Sequence, residues 1–123
     1  MHLAIDVGNK RCGIAIEQEG IVFPKEICAR TDIIAALRRF LREYPQIHTM
    51  VVGMPYDLYG IDTEQLEKTQ RFQMKLQDIF PSIQIIGFDE RFSSFEASQT
   101  HDTEKRDDVA AGIILESYLR SKI

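Results

Sequence analysis

Leu3-Ala4-Ile5-Asp6-Val7-Gly8-Asn9-Lys10-Arg11-Cys12-Gly13-Ile14-Ala15-Ile16-Glu17 reads as two strands joined by a turn, with one carboxylate set in an apolar run. Met1 to Val7 carries Leu3, Ala4, Ile5 and Val7, the composition of a buried strand, and Gly8-Asn9 has the turn chemistry that ends it. From Arg11 to Glu17, Cys12, Ile14 and Ile16 alternate onto one side, so the pair predicts a hairpin. Asp6 is the exception. A carboxylate among apolar residues is costly unless it faces a metal, a cation or solvent at the strand end, or caps the Gly8 turn as an arginine-paired acid.

Outward from the hairpin, Glu19-Gly20 turns the chain into a third strand, Ile21 to Ile27, which Pro24 confines to a sheet edge or bulges. Thr31 is the expected N-cap of a helix with Ile33, Ile34, Leu37, Phe40, Leu41 and Tyr44 at helical spacing, stopped by Pro45. Thr49 to Gly53 reads as a short buried strand, followed by Met54-Pro55 and a polar loop through Gly60. Asp62 or Thr63 then caps a helix reaching Phe80, its apolar face formed by Leu66, Thr69, Phe72, Leu76, Ile79 and Phe80. Pro81-Ser82 ends it before a strand from Ile83 to Phe88. Ser94 is expected to cap a short helix around Phe95 to Gln99, and His101 to Arg106 to form an exposed charged connection. A last helix, about Asp107 to Ser121, is expected to turn Val109, Ala110, Ile113, Ile114 and Tyr118 toward the core.

The order β-β-β-α-β-α-β-α predicts an α/β fold with a five-stranded mixed sheet flanked by helices, in which crossovers link the first, fourth and fifth strands. All 123 residues are expected to form a single domain, large enough to bury a core without disulfides. Apolar residues make up 44% and charged residues 28%, which excludes disorder and fibrous repeats. No apolar run approaches the roughly 20 residues of a membrane span, and a cytoplasmic location is expected. Cys12 and Cys28 lack the paired spacing of a zinc site and read as reduced thiols in or near the core. A net charge of −4 argues against a basic coat that binds any duplex. Local basic clusters remain at Lys10-Arg11, at Arg38, Arg39 and Arg42, and at Lys105-Arg106, each of which also fits an ordinary solvated face.

Further acids stand where ligands collect. Asp89-Glu90-Arg91 follows the Ile83–Phe88 strand, at the carboxyl end that open α/β sheets use for binding; a local salt bridge is the plainer reading. Asp107-Asp108 opens the last helix, where carboxylates complement the helix dipole and need do nothing else, while the small residues Ala110-Ala111-Gly112 let that helix lie close to the sheet. A few convergent carboxylates suffice for a hard cation such as Mg²⁺. His2, His48 and His101 share no metal-ligand spacing and read as surface or edge residues, and Ser93-Ser94 as turn material whose hydroxyls could reach a phosphate.

Four ordered segments resemble the YqgF family of RuvX-like proteins, a group of pre-16S rRNA nuclease and Holliday-junction-resolvase-like proteins. They are Leu3 to Gly13, Val51-Val52-Gly53-Met54-Pro55 with Gly60, Asp89 to Ala97, and Asp107 to Ala111 followed by Ile113 to Leu119. The resemblance spans nearly the whole chain and implies a ribonuclease-H-like fold. It implies that Asp6, Glu90 and Asp107 are the catalytic acids and the ligands of Mg²⁺ or Mn²⁺, with Asp108 an exposed or secondary acid. Spacing alone leaves Asp89 and Glu90 open, because neighbours at a strand end point to opposite sides; Glu90 is the choice. By the same analogy Lys10, Arg11, Arg91 and Ser93 bind substrate. Nine residues separate Ala97 from Asp107, a shorter and less basic segment than relatives carry, and Ser93-Ser94 replaces a threonine pair.

The implied function is hydrolysis of phosphodiester bonds in structured nucleic acid, namely 5′-end processing of precursor 16S rRNA by a monomer or homodimer. The rival substrate is a four-way DNA junction, for which a dimer places two symmetric cuts. A noncatalytic module contacting the ribosome or a transcription factor is a second class. A third is the actin-like kinase and chaperone superfamily, whose phosphate-binding hairpin Asp6-Val7-Gly8 followed by Ala15 resembles; its two lobes exceed this chain length.

Overall fold

The computed structural model describes residues 1–54, 63–89 and 107–122. Three strands open the chain: β1 (His2–Val7), β2 (Arg11–Gln18) and β3 (Ile21–Ala29). A 3-10 turn (Arg30–Asp32) leads into α1 (Ile33–Glu43), then come β4 (Thr49–Met54), α2 (Thr63–Ile79), β5 (Gln84–Asp89) and α3 (Asp107–Ser121). The sheet order is β3-β2-β1-β4-β5. The first three strands pair antiparallel, while β4 lies parallel to both β1 and β5. This is the mixed sheet that the element order predicts.

Local chemistry explains the connections. Gly8 donates its N–H to the Arg11 carbonyl at 2.9 Å, closing the first hairpin. A Cβ on Gly8 would stand 2.5 Å from that carbonyl oxygen, so only glycine fits. The second hairpin turns through Glu19 and Gly20, both at positive φ (54° and 84°), the backbone that a two-residue hairpin loop demands. Pro24 lies on the edge strand beside a break in register, where Ile14 pairs with Glu26 but Ala15 with Pro24. Both expectations for Pro24 hold at once.

Two apolar layers flank the sheet. Leu3, Ile5, Ile14, Ile16, Met50 and Val52 pack with Leu37 and Phe40 of α1 and Phe72 and Leu76 of α2. Ala4 and Val51 point the other way, to Ile114, Leu115 and Tyr118 of α3. Each fully buried Leu or Ile contributes about 1.5–3 kcal/mol, and β4 is buried at every position because both of its faces are covered.

Three expectations change. Thr31 does not cap α1; it lies inside the 3-10 turn, and the residue before the helix, Asp32, makes no side-chain cap bond. The cause is the Arg30 N–H, which donates to the Lys10 carbonyl at 2.8 Å and ties the end of β3 to the first hairpin, so the chain must turn tightly there. In α3 the buried face is Ala111, Ile114, Leu115 and Tyr118, and Val109 is 43% exposed. The helix is rotated because Gly112 packs on Val22 and Pro24 of β3, setting which stripe meets the sheet. Asp108 is buried rather than exposed. The Ser94 cap, the 95–99 helix, the 55–60 loop and Asp62 lie outside the described residues.

Candidate active site

Asp6 is the last residue but one of β1 and is half-buried. By strand alternation it shares the face of Ala4, the α3 face, rather than that of Leu3 and Ile5. Its partner across the antiparallel ladder is Gly13, which has no side chain to crowd the carboxylate. On the parallel side the ladder pairs Ile5 with Val52, and the next residue of β4 is Gly53.

Helix α3 covers the sheet face that Asp6 takes. Gly112 lies against Val22 and Pro24 of β3, and Tyr118, near the helix C-terminus, stands 6.0 Å by ring centroids from both His2 of β1 and Phe88 of β5, so the helix crosses the strands. Asp108 Oδ1 accepts the Val109 N–H at 2.9 Å, and Asp107 is the first residue of the helix. Asp89 is the last residue of β5, whose parallel pairing through β4 brings its end to the edge where β1 ends.

Of the other expected site residues, Lys10 and Arg11 are exposed on the first hairpin. Glu90, Arg91 and Ser93 lie outside the described residues. Among the described residues no three His, Cys, Asp or Glu side chains form a metal-competent group. His2 and His48 sit at the far end of the sheet, and His101 lies outside the described residues. His2 Nδ1 bonds Glu17 Oε1 at 2.6 Å, and Glu17 also accepts from the N–H groups of His2 and Gly20. His2 is thus a structural partner of a buried glutamate, more engaged than an edge residue.

The sequence reading passed over a second basic group. A cavity of about 520 Å³ opens on the α1/α2 side of the sheet, against the Val7-Gly8-Asn9 turn, and among the described residues its walls include Arg30, Lys68, Arg71 and Lys75 but no acid. Lys68, Arg71 and Lys75 recur at helical spacing beside the apolar stripe of α2, a pattern visible in the sequence once the helix is placed. Arg30 gave no such signal.

A family model described as "RuvX: Holliday junction resolvase" matches residues 1–121. The chain belongs to the RuvX family. Its sheet order and helices have the ribonuclease-H-like arrangement expected of RuvX chains. A relative from Porphyromonas gingivalis, named "Putative pre-16S rRNA nuclease", is 34% identical, with 95% of this chain and 94% of the relative aligned. Relatives of the same name from Flavobacterium psychrophilum and Fusobacterium nucleatum are 32% and 33% identical, each alignment covering 98% of this chain and 97% of the relative. The first alignment runs over 131 positions against 123 residues here, so that RuvX relative carries segments this chain lacks.

Proposed function

We propose that this RuvX-family chain is a divalent-metal-dependent nuclease that hydrolyses phosphodiester bonds in structured nucleic acid, acting at the 5′ end of precursor 16S rRNA. The observation that carries the reading is Asp6, a carboxylate held at the end of β1 on the sheet face that α3 covers. Relatives named as pre-16S rRNA nucleases over nearly the full chain supply the substrate.

The catalytic acids are Asp6, Glu90 and Asp107. Ile86 and Phe88 pack on the α3 side, and Glu90 has their parity along the sequence where Asp89 has the opposite one, which supports Glu90. Carboxylate oxygens beside the side-chain-free Gly13 suit a hard cation that keeps several waters, so these residues fit Mg²⁺ or Mn²⁺. When bound, such a cation supplies an activated water and stabilises charge on the leaving oxygen. Lys10 and Arg11, exposed beyond the acid, contact phosphates of the substrate, with Arg91 and Ser93 assigned the same task. An rRNA substrate places the work in the cytoplasm, on nascent ribosomal particles. Among the described residues no helix is long and apolar enough to cross a membrane.

The description of the matching family model favours a second reading, resolution of four-way DNA junctions by a homodimer. Labelled precursor 16S RNA and a labelled junction are incubated side by side with Mg²⁺, with Mn²⁺ and with EDTA. Metal-dependent cleavage of the RNA alone supports the first reading, and cleavage of the junction alone the second. Cleavage of neither overturns the nuclease assignment and leaves a binding module.

A further inference from the structure

The cavity behind the Val7-Gly8-Asn9 turn is not explained by the acids. We propose that it is a phosphate-binding site for nucleic acid, taking a backbone phosphate of the segment that flanks the cut. Asp6 and the cavity occupy opposite faces of one sheet edge: Asp6 faces α3, whereas the next residue, Val7, is part of the cavity wall. A strand crossing that edge meets Asp6 on one side and the cations on the other.

The chemistry of the wall selects the ligand. Among the described residues four cations, Arg30, Lys68, Arg71 and Lys75, and no carboxylate line the space, in a chain whose net charge is −4. Lys68 has an exposed partner, Glu64, at 3.5 Å, and no ion pair joins Arg71 or Lys75 to an acid among the described residues. The innermost cation is Arg30, its guanidinium carbon 4.5 Å from the centre of the Phe72 ring. That stack fixes the guanidinium plane, and Arg30 Nη1 is buried with no hydrogen-bond partner among the described residues. Arg30 also bonds the Cys12 thiol, so it forms the fixed cationic floor of the cavity, while Lys68, Arg71 and Lys75 are the exposed groups that a phosphate oxygen can reach. From Lys68 to Lys75 the helix rises about 10 Å, so the cations form a track rather than a point. An isolated small anion needs less than this.

The ligand assignment rests on the nuclease reading, but the existence of the site does not. Fluorescence anisotropy of a labelled single-stranded RNA, measured in EDTA with the full chain, compares the wild type with Arg71→Gln/Lys75→Gln. An equal charge loss on the exposed face of α1, Arg38→Gln/Arg42→Gln, serves as control, and melting temperatures check that each variant folds. The cavity variant is expected to weaken binding at least tenfold at low salt. Two lost phosphate contacts should also make the salt dependence shallower by about 1.4 in log–log slope, while the control moves neither. Equal losses in both variants, or no loss in the cavity variant, overturn the proposal. Inorganic phosphate and adenosine monophosphate are run as competitors. A mononucleotide that binds the cavity in a chain with no affinity for the RNA assigns the site to a free nucleotide and overturns the strand assignment. If the expected binding profile is seen but no substrate is cut with metal present, the phosphate site stands and the nuclease reading falls.

Discussion

The Tyr118 ring packs 6.0 Å from both the His2 ring and the Phe88 ring, so the C-terminal part of α3 is anchored across β1 and β5. Asp6, at the end of β1, takes the sheet face that this helix covers.

Asp6→Asn is expected to abolish metal-dependent cleavage, by more than a hundredfold, while the melting temperature stays the same or rises. In the proposed site Asp6 shares a cation with other carboxylates, and replacing one of them relieves repulsion in the metal-free protein. Cleavage assays paired with thermal melts check this; loss of folding would make Asp6 a structural residue.

Gly8→Ala should destabilise the fold by about 1–3 kcal/mol, because its Cβ would meet the Arg11 carbonyl oxygen, a backbone atom that cannot step aside. Urea denaturation measures the cost. A change under a few tenths of a kcal/mol would show that the hairpin opens readily.

Glu17 gives the stability a pH dependence of defined sign. Burial alone would push its carboxyl up, but the Gly20 N–H, the His2 ring and the His2 N–H together hold it below the ordinary 4.5. The folded state therefore favours the ionised form, and the stabilisation is complete at neutral pH and lost as acid takes the solution down through the depressed value. Glu17→Gln should cost about 1–3 kcal/mol at pH 7 and markedly less at pH 3. An equal cost at both pH values contradicts this account.

Tyr118→Phe removes a hydroxyl that is buried with no hydrogen-bond partner among the described residues. Stability should hold or improve by up to about 1 kcal/mol, because an unsatisfied donor is lost while the ring stays packed. Chemical denaturation showing a loss of more than 2 kcal/mol would reveal a partner for the hydroxyl.

Cys12 and Cys28 are direct partners across β2 and β3, and both are free thiols. Burial pushes the Cys28 thiol up to about 11 and raises Cys12 as well, so little thiolate exists at pH 7.5. Ellman's reagent should react slowly with the native chain and fully after unfolding; rapid native reaction at either thiol would refute the assignment.

Much of this architecture was readable before folding because it depends on short-range rules. Alternation in Cys12, Ile14 and Ile16, the helical stripe Thr69, Phe72, Leu76 and Phe80, and Pro24 at the edge all reappear in the structure. The error at Thr31 came from a contact between residues twenty positions apart, the Arg30 N–H reaching back to the Lys10 carbonyl. The misassigned face of α3 has a similar origin. Val109 and Ala111 suit a core equally well by composition, and only the seat of Gly112 on β3 selects between them. For the site, Asp6 stood out as an acid in an apolar strand, whereas Arg30 looked like an ordinary connector residue.

By itself, then, the sequence determined the order and type of the elements, the turns at Gly8 and Gly20, and which residues carry unusual charge, since each follows from the preferences of a few neighbouring residues. Only the tertiary structure decided the sheet order, the face that Asp6 takes relative to α3, and the meeting of Arg30 with Lys68, Arg71 and Lys75 around one cavity. Those relations join residues far apart along the chain, and they are settled by how apolar faces bury against one another across both sides of the sheet.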